Sequence, residues 1–340
     1  MPALVEAQFE SLELKSQAPT KVLAIEVQGV SSTLLLWCGF TRLSGPRFFC
    51  SWRLYAVLSC RCGMLTFVLF SGAEGDVMPI SIDACVAQHQ GDRKEQQDRV
   101  AILPHSRARG VVLAVVADGM GGHTGGVLAA EQVVHTARTN LEQYAPSEDS
   151  DRHLLENSLL EAHTMIKASR FMNEKDPHST AVLLLLRPGR VSWAHCGDSR
   201  LYRFRSGQLT FRTTDHSYVE HLVASGKITP EQAAVHPNRN ILLTSLGGRE
   251  EPRCDFGTAI DLGGGDAFVL CSDGLWAYFD AAEMGAIIAE KSARDASETL
   301  ISLARTRARG EGDNLSLAII KLNEVEAKKP AVMAGFRRPA

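Results

Sequence analysis

Four aspartates in this chain flank apolar, strand-like runs, each beside glycine, serine or asparagine. Residues 111–116 lead into Asp118-Gly119-Met120-Gly121-Gly122, residues 191–196 into Gly197-Asp198-Ser199-Arg200, and residues 267–271 into Ser272-Asp273-Gly274; Asp313-Asn314 opens the run 315–322. An ionised carboxylate at the mouth of a buried strand is costly unless something offsets its charge. A single one reads as a turn or a cap. Several that converge need cations among them, and hard, oxygen-ligated cations suit carboxylates best. The chemistry this pattern points to is that of a metal-dependent enzyme.

The elements that must bring these residues together are readable from residue 80 onward. Residues 80–83 with 86–89, 99–104, 111–117, 181–187, 191–196, 201–205 and 315–322 are predicted strands, several rich in valine. Residues 127–144 are a predicted helix, with Val127, Ala130, Val134, Ala137 and Leu141 at three- and four-residue steps. Further helices are predicted over about 152–172, 284–290 and 296–307. Thr229-Pro230-Glu231-Gln232 marks a capped helix start, and Asp280 with Glu283 repeats the device. Strands, then helices, then strands, then helices indicate an α+β fold with antiparallel sheets rather than a doubly wound parallel sheet.

Bulk properties narrow the function. The chain has 340 residues, 45% hydrophobic and 22% charged, enough for a sizeable core. A net charge of −3 and the lack of a basic stripe argue against nucleic acid as a partner. The eight cysteines lack zinc-site spacing, and Cys196 and Cys271 lie inside apolar runs as reduced thiols do. A reducing, cytoplasmic setting follows.

Residues 1–77 differ from the rest. They hold four of the eight cysteines (38, 50, 60, 62), and neither helical nor strand periodicity persists in them. The apolar stretch 54–70 carries Arg61 near its centre, which costs a membrane span about 2.5–3.5 kcal/mol, and it is shorter than the roughly 20 residues a span needs. It lies too far from the N-terminus for a signal peptide. The expectation is that residues 1–77 are either an atypical, disordered leader or a mis-assigned start with translation beginning at Met78, followed by a catalytic domain over 78–323 and a disordered, solvated tail over 324–340.

The ordered set Arg93-x-x-Gln96-Gln97-Asp98, Asp118-Gly119-Met120-Gly121-Gly122-His123, Ser179-Thr180-Ala181, Gly197-Asp198-Ser199-Arg200, Asp215-His216-Ser217, Ser272-Asp273-Gly274-Leu275-Trp276 and Asp313-Asn314 resembles the type 2C protein phosphatases, the metal-dependent serine/threonine phosphatase family, in their compact bacterial form. The resemblance spans roughly residues 80–322. It implies a sandwich of two antiparallel sheets flanked by helices, with two Mn²⁺ or Mg²⁺ ions at one end. By position it implies that Asp118 bridges both ions, the Gly119 carbonyl binds one, and Asp273 and Asp313 complete the set. Asp98 would anchor a metal-bound water. Asp198 would hold a possible third ion with Asp273, or serve as a turn residue pairing Arg200. Two divalent cations about 3.5–4 Å apart need a bridging carboxylate, and they turn a shared water into hydroxide for in-line attack on phosphorus. Arg93 matches the family's phosphate-binding arginine, although alone it reads as a surface arginine; its fork suits phosphate oxygens.

Met120 stands where animal members carry a histidine thought to protonate the leaving alcohol. A thioether cannot give up a proton, so the acid is a metal-bound water or another residue, with His123 nearby in sequence. Residues 213–248 resemble the family's flap, which places Asp215, His216 and Ser217 at the substrate side; His216 and His236 read as packing or capping residues rather than ligands. The function implied is hydrolysis of phosphoserine and phosphothreonine in proteins, by a monomer, opposing a serine/threonine kinase and acting on its targets. The alternative is a non-catalytic phosphoprotein-binding module on the same fold, which would expect loss of Asp118, Asp273 or Asp313.

Overall fold

The computed structural model describes residues 20–26, 33–40, 50–55, 65–69, 80–121, 123–170 and 176–324. Chain contacts divide it into two units, Met1–Ser59 and Cys60–Ala340. In the first unit, β1 (Thr20–Glu26), β2 (Thr33–Phe40) and β3 (Cys50–Tyr55) form an antiparallel sheet in the order β1-β2-β3. Thr20 lies opposite Gly39, and Phe40 opposite Cys50. Strands thus occupy positions expected to be without regular structure, because a continuous apolar run such as 34–38 carries no period-two signal. Residues 65–69 of the predicted leader are also a strand, and Glu324, expected in the tail, ends the last strand; the rest of the leader, and the tail from residue 325, lie outside the described residues.

The second unit opens with β4 (Leu65–Leu69), β5 (Ile80–His89), β6 (Arg99–Pro104), β7 (Val112–Ala117) and the short β8 (Gly119–Met120). Helices α1 (His123–Gln143) and α2 (Asp151–Ser169) follow, then β9 (His178–Ser179), β10 (Ala181–Arg187), β11 (Arg190–Cys196), β12 (Arg200–Arg205) and β13 (Gln208–Arg212). Two short helices, α3 (Tyr218–Ala224) and α4 (Pro230–Ala234), precede β14 (Asp255–Ala259) and β15 (Asp266–Cys271). The unit closes with α5 (Asp273–Trp276), α6 (Ala281–Glu290), α7 (Ala293–Ala308) and β16 (Leu315–Glu324).

Every pairing is antiparallel, in two main sheets ordered β14-β11-β10-β7-β6 and β13-β12-β15-β16-β5-β4. Ala114, Val116, Leu184, Phe268 and Ile320 pack between the sheets. Alternate residues of the same strands turn the other way: Leu113, Val115 and Leu183 pack under α1 and α2, while Val269, Cys271 and Ile319 pack under α6 and α7. Both faces of the central strands are therefore dry. That is why they read as continuous apolar runs rather than as alternation, and each fully buried leucine or valine contributes about 1.5–3 kcal/mol. The result is a helix–sheet–sheet–helix stack, an α+β architecture.

Local signals held where chemistry was local. Thr229 and Gln232 form a reciprocal capping box, with Pro230 at the first helical position. Asp280 accepts from the Glu283 amide at 2.7 Å, but the Glu283 carboxylate turns to Arg307 instead of closing a box. The first strand runs unbroken over residues 80–89, as expected. Two expectations shift: α1 starts four residues earlier than its periodicity indicates, and β13 and β14 appear where no strand is predicted. Both of these are sheet-edge strands, exposed on one side, with weak patterning.

Candidate metal centre and active site

In an antiparallel sandwich, the end of one strand lies beside the beginning of its neighbour. Asp98 precedes β6 and Asp118 follows β7, which pairs with it; Asp273 follows β15 and Asp313 precedes β16, its partner. Asp198 lies in the turn from β11 to β12. Strand polarity alone therefore sets all five carboxylates at one end of the stack.

Their electrostatics show that they meet there. Burial pushes the Asp118 carboxyl well above the usual carboxylate range, and Asp98, Asp273, Asp198 and Asp313 push it further. Although Asp118 keeps some exposed surface, its carboxyl is enclosed by these acids and by strand ends. Asp98, 1% exposed, is raised to about 7 by burial and by Asp273 and Asp313, against a hydrogen bond from Ser272. Asp198 is raised to about 8 by burial, Asp273 and Asp215, and Asp273 to about 6 by burial and Asp313. Carboxylates this close lack compensating positive charge, and divalent cations would supply it. The donor set, oxygen throughout, fits hard ions.

Smaller residues hold the acids in place. Ser272 Oγ donates to Asp98 Oδ2 at 2.7 Å and accepts from the Ser316 amide. The Asp118 amide donates to Thr180 Oγ1 (3.1 Å), and the Asp118 carbonyl accepts from the Thr180 amide (2.9 Å) and Ser179 Oγ (3.1 Å). The Ser179-Thr180 motif thus fixes the backbone of Asp118. Gly119 is needed because a Cβ there would meet the Gly126 carbonyl oxygen of α1 at 2.0 Å. Helix-to-strand approach demands that glycine.

The sequence marks Asn314 only as the neighbour of Asp313. Its Oδ1 accepts from the Gln97 amide (2.7 Å), and its Nδ2 donates to the carbonyls of Gln90 and Glu95 (2.8 and 2.9 Å). One side chain thereby ties the 90–97 loop, which carries Arg93 and leads to Asp98, to the start of β16. Asparagine beside a strand opening gives little sequence warning of such a role.

Arg93 lies at the rim, its side chain 61% exposed, with Nη2 on Asp313 Oδ2 at 2.5 Å. Arg200 does not pair with Asp198. Its fork holds Asp215 through two bonds of 2.8 and 2.7 Å, it donates to Tyr202, and it stacks 3.4 Å over the Trp276 ring. Trp276 Nε1 in turn donates to the Asp198 carbonyl at 3.0 Å. Of the flap residues, Asp215 is committed to Arg200, and His216 Nδ1 accepts from the Gly197 amide. Ser217 caps α3 by accepting from the Glu220 amide. His236 Nδ1 accepts from the Asn238 amide, a turn role. The His123 side chain lies outside the described residues.

A cavity of about 720 Å³ runs from Asp198 and Asp273 to the flap, walled by Trp276, Tyr278, Val219 and Val235. It is the one described cavity lined both by centre carboxylates and by flap helices.

Residues 87–299 match the family model for protein phosphatase 2C. The chain belongs to the protein phosphatase 2C family. It is 32% identical over 257 residues to protein phosphatase PhpP of Streptococcus pneumoniae, covering 74% of this chain and 100% of that one. The solved Streptococcus agalactiae serine/threonine phosphatase superposes with a TM-score of 0.66 at 30% identity, covering 71% of this chain and 99% of that one. The catalytic domain of serine/threonine protein phosphatase PstP, solved with 2 manganese ions, gives a TM-score of 0.60 at 28% identity over 72% of this chain and 100% of that one. This member of the protein phosphatase 2C family is a metal-dependent serine/threonine protein phosphatase.

Proposed function

We propose that the chain hydrolyses phosphoserine and phosphothreonine in proteins at the Asp98–Asp118–Asp198–Asp273–Asp313 cluster, loaded with two Mn²⁺ or Mg²⁺ ions and a third near Asp198. The observation that carries this reading is the convergence of these carboxyls at one end of the sandwich, where Asp98, Asp118 and Asp273 are each raised by burial and by neighbouring acids, Asp313 among them. Bound divalent cations would neutralise the acids and activate a water for in-line attack on phosphorus. Asp118 and Asp273 would hold the ions, aided by Asp313 and the Gly119 carbonyl. Asp98, fixed by Ser272, would accept a hydrogen bond from water there.

Arg93 leaves Asp313 to fork the phosphate oxygens and supports the charge that builds there in the transition state. The phosphoprotein lies in the cavity between the centre and the flap, where Asp215 and Ser217 line its wall and His216 seats the flap behind them. Met120, next to Gly119 in β8, holds no transferable proton.

The catalytic domain is residues 78–323. It acts in the cytoplasm as a monomer, with a serine/threonine kinase and that kinase's targets as partners. Cys85, Cys196, Cys254 and Cys271 as free thiols support a reducing setting. No helix among the described residues is long and apolar enough to cross a membrane.

The test is hydrolysis of p-nitrophenyl phosphate and of a phosphothreonine peptide, with and without EDTA. Activity should vanish with chelator and return with Mn²⁺. Asp118→Ala and Asp273→Ala should each lower kcat about a hundredfold or more, since several kcal/mol of charge stabilisation leave with the ion. Wild-type turnover from either variant would remove the cluster from the reaction.

A further inference from the structure

Away from the acidic centre, two cysteines face each other across a strand pair. In the ladder between β11 and β14, Ala194 lies opposite Phe256 and His195 opposite Asp255. One step further along the same register sets Cys196 opposite Cys254. Both are free thiols, and their side chains are in hydrogen-bonding contact. Directly opposed residues on antiparallel strands have Cα atoms about 4.5–5.5 Å apart, inside the roughly 4.4–6.8 Å that a disulfide spans. The backbone need not move far for the two sulfurs to bond.

The same neighbourhood holds His195, His216 and Asp255, whose ligand atoms lie within 4.8 Å of one another. It is a poor cation site. The two imidazoles stack with centroids 4.6 Å apart and planes 17° apart, so their in-plane lone pairs do not converge on one ion. His216 Nδ1 already accepts from the Gly197 amide, which leaves the proton of the neutral ring on Nε2, 3.2 Å from Asp255.

We propose that Cys196 and Cys254 form a redox-active pair, a modification site that closes reversibly to a disulfide at the base of the flap. A hydroperoxide is the oxidant. The half-buried Cys254 is the sulfur it reaches, although its contact with Cys196 holds its thiol protonated well above the usual range; Cys196, the more acidic of the two but with no exposed surface, is the resolving thiol. The Cys254 sulfur attacks the peroxide oxygen and the O–O bond breaks, giving the sulfenic acid and one water. The Cys196 sulfur then displaces the hydroxyl, its proton leaving with it as a second water, and the S–S bond forms. Two thiols and one hydrogen peroxide thus yield one disulfide and two waters.

The position gives the bond something to act on. Gly197, next to Cys196, exchanges two hydrogen bonds with His216 at the flap's first limb. Thr244, on its returning limb, meets Cys196 Sγ at 3.7 Å and accepts from the Arg253 amide at 2.9 Å. A Cys196–Cys254 bond ties β11 covalently to the segment that leads from the returning limb into β14.

The test is peptide mapping of the full chain after hydrogen peroxide, with free thiols alkylated under denaturing conditions. The expected product is a Cys196–Cys254 cross-linked peptide that dithiothreitol removes, with Cys85 and Cys271 recovered alkylated. Cys254→Ser should unfold at a midpoint close to wild type and leave Cys196 alkylated after the same treatment. Recovery of both cysteines as free thiols, under peroxide that oxidises other cysteines of the chain, would overturn the proposal. So would a disulfide joining Cys196 to any other partner. The mapping of the unaltered chain decides the matter even if the variant does not fold.

Discussion

At the scale of single residues, the centre is a set of acids that prefer protons or cations to bare charge. Asp98, Asp273 and Asp198 have carboxyls raised from 3.8 to about 7, about 6 and about 8, and burial with the neighbouring acids raises Asp118 as well. Without metal, the folded state therefore binds protons more tightly than the unfolded chain does. Stability falls wherever the native state holds the extra protons, so it is greatest near the unfolded value and is lost as pH rises through about 6 to 8. The metal-free protein should melt at a higher temperature at pH 6 than at pH 8. Mn²⁺ replaces those protons, so the rise in Tm on adding it should be larger at pH 8. Differential scanning calorimetry at the two pH values, with and without Mn²⁺, checks this; equal increments would contradict the assigned charge states.

At the scale of elements, a charged strut ties the flap to the sandwich. Arg200 at the start of β12 reaches Asp215 before α3 and lies flat over Trp276 of α5. Asp215 is buried and Arg200 nearly so, with side chains 6% and 13% exposed. Removing one partner of a buried pair leaves the other uncompensated, at a cost of about 3–5 kcal/mol. Arg200→Met should lose stability on that scale in urea unfolding and should raise KM for a phosphothreonine peptide. Adding Asp215→Leu should restore much of the stability, because the stranded charge goes with it. A loss below about 1 kcal/mol for the single variant would show that the strut is solvated and carries little. Asn314 does comparable work on the opposite side of the centre, where it closes the Arg93 loop onto β16.

At the scale of the whole molecule, the acids are held by a sandwich whose strands are covered on both faces. Such a support keeps five loop-end side chains in register without any of them being in a regular element's interior. A chain beginning at Met78 lacks β1–β4 but keeps every strand that carries a carboxylate. It should retain the kcat of the full chain on p-nitrophenyl phosphate. Its Tm should be lower, since β5 loses its neighbour β4 and becomes an open edge. Failure of that shorter chain to turn over substrate, while remaining folded by circular dichroism, would mean that the first 77 residues contribute to the site.

The sequence by itself determined the chemistry and the order of the parts. Aspartate beside glycine or serine at the ends of apolar runs is a local signal, and so are strand, cap and helix patterns; the order Arg93, Asp118, Asp198, Asp273, Asp313 was legible with them. Tertiary structure alone decided which residues answer to which. Whether Arg200 serves Asp198 or Asp215, that Asn314 binds three backbone groups across the 90–97 loop, that Gly119 yields to a helix, and that β14 exists to face β11 are all contacts between distant stretches of chain. A side chain's type says what it can bond. Its partner is chosen only when folding brings remote groups within 3 Å or so, and burial then makes an unmet bond too costly to leave open.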